Sequence, residues 1–364
     1  MINVRKPFLD NIRWSAVCLV LIYHVCYLFN GAGVPASIPN AANLAFFDNF
    51  ACFVYPWLMV LLFTAAGMAA RYSLQKRSER QFIKERAVKL LIPSTLGLFV
   101  LHWITGYINI SLGGGLAYIP KLLVYPISAV SGIGPLWFIQ MLFLFCCALL
   151  LLRKVDKSGK ISKLCQKVNY PVLLLLFLVI YGAAQIFNLP VLTMYRFGIY
   201  FVAFLLGYFV FFCENVMETM EKYRICSLCL ALITGIVYMI IYHGSDYTAS
   251  SCLQSLITNA YLWFAVLAIF GFAKKHLNTQ SVFCHYMTKT SYGLYILHYP
   301  ILLAACCLLH YYCNFSAICN YVLALLIEVV LTFALYEIIR RIPVVRFLVL
   351  GIQKQPNPPQ TEKS

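Results

Sequence analysis

Across 364 residues the sequence is 62% hydrophobic and only 11% charged, too little polar surface to clothe a water-soluble globule of this length. The formal net charge of +16 would point to nucleic acid in a soluble chain, but here the basic residues lie between apolar runs and report membrane sidedness, so no nucleic acid partner is expected. In chain order, apolar runs predict helices over residues 12–30, 49–70, 90–110, 134–152, 171–189, 197–213, 225–242, 253–272, 291–310 and 319–339, each of roughly 17 to 22 residues and able to cross about 30 Å of hydrocarbon. Only helices and closed barrels satisfy their backbone in lipid. The expected fold is therefore all-α, a polytopic transmembrane bundle of about ten helices forming a single domain over residues 1–352, with a short disordered cytoplasmic tail at 353–364 that carries Pro356, Pro358 and Pro359.

The first apolar run is too long for a cleavable signal and reads as a retained helix. With a cytoplasmic amino terminus, the inner segments hold 26 of the 28 Lys and Arg, and only Lys121 and Arg196 fall outside. That bias predicts both termini in the cytoplasm and a multi-pass protein of the inner (plasma) membrane, with the lipid bilayer as its solvent. Two connections on the outer side, residues 31–48 and 111–133, are long enough to roof an outer-facing site; the second contains Gly113, Gly114, Gly115 and Pro120. The fifteen cysteines lie mostly inside apolar runs and read as small hydrophobes, including the Cys226-x-x-Cys229 pair, which lacks a second ligand pair for zinc. No metal site is expected, and no P-loop or GxSxG elbow occurs.

The chemistry-bearing residues begin in the first helix. Arg13 and His24 are eleven positions apart, about 1,100° of helical rotation and about 16 Å of rise, so they share one face at two levels. Asp10, one turn before Arg13, can hold its guanidinium. Taken alone, Arg13 is equally a membrane-side anchor and His24 a histidine bonded to a neighbouring helix. Glu328 lies mid-helix, where a carboxylate costs roughly 2.5 to 3.5 kcal/mol and wants a partner or a wet cavity. His298 follows Tyr295 by three positions on the same helix face. Arg196 stands at an outer helix end, where it either meets an anionic acceptor or snorkels to headgroups. Trp137 and Trp263 read as packing or interface aromatics before sugar platforms.

Several segments resemble, in order, the acyltransferase-3 family of integral-membrane acyltransferases. FLDNIRWSAVCLVLIYH at the start carries the family's Arg-x10-His motif; FTAAG at 63–67 resembles its small-residue motif, and KERAVKLLIP at 84–93 its basic Arg-x-x-Arg segment. GPLWFIQMLF at 134–143 is similar to the His-Leu-Trp-Phe segment, and SYGLYILHYPILL at 291–303 to the ninth helix. YEIIRRIPVVRFLVLG near the end resembles the branch containing the glucan succinyltransferases. Two positions depart: Pro135 stands where many relatives have histidine, and Lys89 replaces an arginine, losing the fork that suits phosphate.

The resemblance implies an enzyme, an acyltransferase moving groups other than aminoacyl groups. The acyl group, acetyl or succinyl, passes from cytoplasmic acyl-coenzyme A to a sugar hydroxyl of a surface or exported glycan or a lipid-linked sugar, with no tightly bound cofactor. His24 becomes the candidate base, since an imidazole with pKa near 6.5 can take a hydroxyl proton at neutral pH. Arg13 would bind the donor or polarise its thioester carbonyl. Arg86, with Lys89 and Arg80, would meet the coenzyme A phosphates, although topology alone accounts for most of that charge. Two readings compete: a transporter of a glycolipid or small solute, which inverted repeats would have favoured, and a donor-side partner passing acyl groups to a separate transferase.

Overall fold

The computed structural model describes residues 6–156, 159–189 and 192–353; of the tail expected at 353–364, all but Gln353 lies outside the described residues. Among the described residues, eight helices are long and apolar enough to cross a membrane: α1 Pro7–Leu28, α2 Ala45–Lys76, α3 Glu79–Leu112, then α5 Gly134–Val155, α9 Arg224–Tyr242, α10 Leu256–His276, α11 Val282–Tyr312 and α12 Ala317–Ile339. Between them lie α4 Lys121–Ser131, α6 Tyr170–Ala184, α7 Phe197–Phe211 and α8 Glu214–Lys222. A last helix, α13, covers Pro343–Leu350. The chain is thus a polytopic helical bundle, as its composition requires.

Each of the ten expected spans falls on a helix, but among the described residues eight helices are long enough to cross, or nine if α7 and α8, bent by 98° at their junction, make one span. The remaining span, expected at 171–189, is the 15-residue α6, about 22 Å long and short of a full bilayer by itself. The basic stretch expected between the second and third spans is almost entirely helical. α2 runs on to Lys76, and α3 starts at Glu79 behind an N-cap in which Ser78 accepts from Gln81 N, so Lys84, Arg86 and Lys89 are ordered on a helix. Residues 111–133 also differ from the expected roof: α4 packs back against the second half of α3 as a hairpin.

Helix packing explains two of the motifs. A Cβ on Gly67, in the FTAAG segment, would lie 1.9 Å from the Phe204 carbonyl, and one on Gly207 would lie 2.0 Å from that of Thr64. The two glycines therefore let α2 and α7 cross backbone to backbone, the small-residue packing that replaces a hydrophobic drive in lipid. Prolines inside helices leave carbonyls without a donor four residues back, and neighbouring helices fill them. Pro56 strands the Cys52 carbonyl, which accepts from the Tyr238 hydroxyl at 3.2 Å. Pro93 gives no N–H to the Lys89 carbonyl, which accepts from the Tyr292 hydroxyl.

Outside, Leu232, Ile233, Ile236 and Ile240 of α9 and Val322, Leu326 and Val330 of α12 are exposed, as lipid-facing stripes must be. Charge collects at one end. Glu214 takes Lys6 at 2.7 Å and Lys274 at 2.5 Å, Arg77 meets Glu85 at 2.9 Å, and Arg153 meets Glu79 at 3.3 Å. Reporter fusions after Arg80, Lys160 and Lys354 are expected to read cytoplasmic and one after Gly114 external; inversion at any two would overturn the sidedness drawn from the basic residues.

Candidate active site

The face of α1 that carries Asp10, Arg13 and His24 opens at its two ends into different cavities. At the charged end, a cavity of about 480 Å³ is lined by Lys6, Asp10, Arg13, Arg77, Arg86 and Lys89 together with α2 residues. It adjoins a second, of about 440 Å³, which shares Asp10, Arg13, Arg86 and Lys89 and reaches inward to Phe138 and Tyr295. Arg13 is half-exposed in this space, its Nη1 4.0 Å from Asp10 Oδ1. The Arg86 guanidinium lies over the Phe82 ring at 5.0 Å, which fixes its stem and leaves its charge toward the opening.

His24 lies at the other end and lines a third cavity, of about 120 Å³, with Tyr23, Tyr27, Tyr55, Tyr200, Tyr299 and Trp137. Tyr295 borders both the second and third cavities. Its hydroxyl donates to the Pro135 carbonyl, and Phe138 packs against its ring at 5.7 Å, so this residue is held in place where it lines both spaces. Gly134 makes room beside it: at φ +44°, it would place a Cβ 3.1 Å from the Tyr299 ring.

Hydrogen bonding fixes which nitrogen of His24 is free. His298 is buried, with Nδ1 2.7 Å from the Tyr295 carbonyl and Nε2 3.1 Å from His24 Nδ1. A carbonyl only accepts, so His298 Nδ1 carries the proton and its Nε2, in the neutral ring, accepts. His24 Nδ1 must then donate. That leaves a lone pair on His24 Nε2, and His24 is the half-buried member of the pair and the one that lines the cavity. An imidazole so oriented can take a proton from a hydroxyl held there. Among the described residues no group of three His, Cys, Asp or Glu is placed to hold a metal.

A family model described as "Acyltransferase domain" matches residues 6–346. The chain belongs to the acyltransferase-3 family. This acyltransferase is 26% identical over 378 residues to glucans biosynthesis protein C of Escherichia coli (strain K12), covering 95% of this chain and 94% of that protein. The protein of the same name from Shigella boydii serotype 4 (strain Sb227) gives the same identity and coverage, and that from Escherichia coli (strain SMS-3-5) is 24% identical over the same shares. No solved structure matches.

The acyltransferase gathers some of the residues singled out in its sequence and separates others. His24, His298 and Tyr295 meet; so do Asp10, Arg13, Arg86 and Lys89. Arg80 is exposed on α3 and lines none of these three cavities. Arg196 is buried rather than snorkelling: its Nη2 donates to the Leu253 carbonyl at 2.8 Å, and its Nε has no hydrogen-bond partner among the described residues. Glu328 is fully buried in α12 away from all three cavities, and neither carboxylate oxygen has a hydrogen-bond partner among the described residues. Trp263 is packing, with Nε1 donating to the Leu173 carbonyl at 2.9 Å, whereas Trp137 lines the His24 cavity. Sequence reasoning missed the tyrosine cluster, which several helices assemble, and it missed His102.

Proposed function

We propose that this acyltransferase moves an acyl group, acetyl or succinyl, from cytoplasmic acyl-coenzyme A to a sugar hydroxyl of a surface or exported glycan, with His24 as general base. The observation that carries the reading is the Tyr295–His298–His24 hydrogen-bond chain, which leaves a lone pair on Nε2 of His24, a residue lining a cavity that shares Tyr295 with a basic cavity. The donor's phosphates suit Arg13, Arg86 and Lys89. Its thioester would pass along the second cavity to Tyr295. The sugar hydroxyl gives its proton to His24 Nε2 as its oxygen attacks the thioester carbonyl. The carbon–sulfur bond then breaks, and the imidazolium returns the proton to the departing thiolate, leaving coenzyme A and a sugar ester.

The about 16 Å between Arg13 and His24 along one helix favours phosphate binding over carbonyl polarisation for Arg13. One arginine cannot touch a carbonyl that is within reach of His24, but it can hold the far end of an extended donor. The tyrosine rings suit the apolar faces of a sugar, and their hydroxyls its oxygens. A glycan acceptor is also supported by relatives named for glucan biosynthesis. The plasma membrane follows from the same reading, because it separates acyl-coenzyme A from exported glycan.

Mass spectrometry of surface and secreted glycans from expressing and gene-deleted cells tests the whole assignment. A single added mass in the expressing cells is expected, and it names the acyl group. Identical glycans in both would overturn the reading in favour of a transport role. A mass gained only when a second, separate transferase is also present would reduce the protein to a donor-side partner.

A further inference from the structure

Pro300 sits inside α11, two residues beyond His298. Proline has no N–H and its ring crowds the carbonyl four residues back, so the Ile296 carbonyl loses its helical donor within the turn that carries Tyr295 and His298. In a membrane interior no bulk water replaces it. The donor comes instead from α3: His102 Nε2 lies 3.1 Å from the Ile296 carbonyl, and His102 is buried. Because a carbonyl only accepts, Nε2 is the protonated nitrogen of His102.

The fold holds this histidine in place from two sides. His102 ends a π-helical turn, Leu98–His102, a widening of the kind that re-aims a side chain within a helix. Behind it, a Cβ on Gly132 would lie 1.9 Å from the His102 carbonyl, so the α3–α4 hairpin closes directly onto it. His102 lines none of the three cavities described above, which removes it from contact with either substrate.

We propose that His102 is a positioning residue for acyl transfer: it donates to the carbonyl that Pro300 strands and so fixes the α11 turn from which Tyr295 and His298 orient His24. The inference rests on the reading of His24 as the base. Its action runs through one carbonyl, and that gives it a specific suppressor. With alanine at position 300, the backbone N–H returns to Ile296 and His102 becomes dispensable.

The test uses the full chain in membrane vesicles that contain the cells' own glycan, supplied with acetyl- or succinyl-coenzyme A. His102→Ala is expected to lower kcat about tenfold to a hundredfold, as small misplacements of catalytic groups do, with the donor KM unchanged. His102→Gln, which keeps an N–H donor, is expected to retain most turnover, and His102→Ala with Pro300→Ala to regain it. Equal loss in the single and double variants, or a Gln variant as poor as Ala, would overturn the proposal. If the His102→Ala protein is not recovered folded, recovery of a monodisperse double variant by gel filtration supports the proposal and failure of that rescue overturns it. His24→Ala in the same vesicles separates the two claims. Turnover surviving that change would sink the base assignment itself, whereas its loss without Pro300→Ala rescue would sink only the positioning role.

Discussion

His24→Ala is expected to lower acyl transfer by about 10² to 10⁴, the usual contribution of a general base, while leaving the protein folded and inserted. The side chain is half-buried at a cavity edge, and its Nδ1 lies 3.1 Å from His298 Nε2. Removing it takes away little packing and leaves His298 Nε2 facing space that water can enter. His298→Ala should act differently, because it removes the acceptor that sets the tautomer of His24 while leaving the base itself. Without it, His24 divides between two tautomers and part of the population presents N–H where the reaction needs a lone pair. The order of losses, His24→Ala larger than His298→Ala, should appear in initial rates at saturating donor. A His24→Ala enzyme keeping more than about a tenth of wild-type turnover would refute the base role.

The bundle was legible because its signal is long and repeated: an apolar run either crosses or does not. What failed was local. Nothing in the spacing of residues 111–133 announces that Gly106 and Gly132 bring α4 against α3, where Cβ atoms would sit 1.9 Å from the Ser128 and His102 carbonyls; three consecutive glycines read as a loop. The basic stretch at 71–89 reads as a connection because its charges report sidedness, yet Ser78 is a plain N-cap signal for the helix that follows it. The Arg13–His24 face was readable from helical geometry alone, since both residues are on one helix. His298 could be named from its sequence neighbours, but its contact with His24 joins helices 274 positions apart, beyond periodicity. His102 stands in an apolar run with no neighbouring residue that singles it out. The signal that could have found it was Pro300, because a transmembrane proline leaves a carbonyl that some neighbouring side chain must meet.

Arg13→Ala is expected to raise the donor KM by roughly tenfold while kcat at saturating donor holds. Hydrogen bonds to charged groups are worth about 1.5 to 3 kcal/mol, and each 1.4 kcal/mol is about tenfold in affinity; solvent screening of a half-exposed side chain brings the effect to the lower end of that range. The split between the two constants follows from geometry. Standing about 16 Å from His24 along α1, Arg13 can hold the anionic end of an extended donor but cannot touch the carbonyl under attack. Arg86→Ala should share this phenotype, since both residues line the two cavities at the charged end, and added salt should weaken donor binding in the wild type. Arg13→Lys then separates charge from shape. Lysine keeps the cation and loses the planar fork, so a donor KM as high as in the alanine variant would show that oriented bonding, held by Asp10 at 4.0 Å, is what binds the donor. A near-normal KM would show that charge suffices. A fall in kcat with donor KM unchanged would place the reacting carbonyl beside Arg13, and the division of donor and acceptor between the two ends of α1 would have to be abandoned.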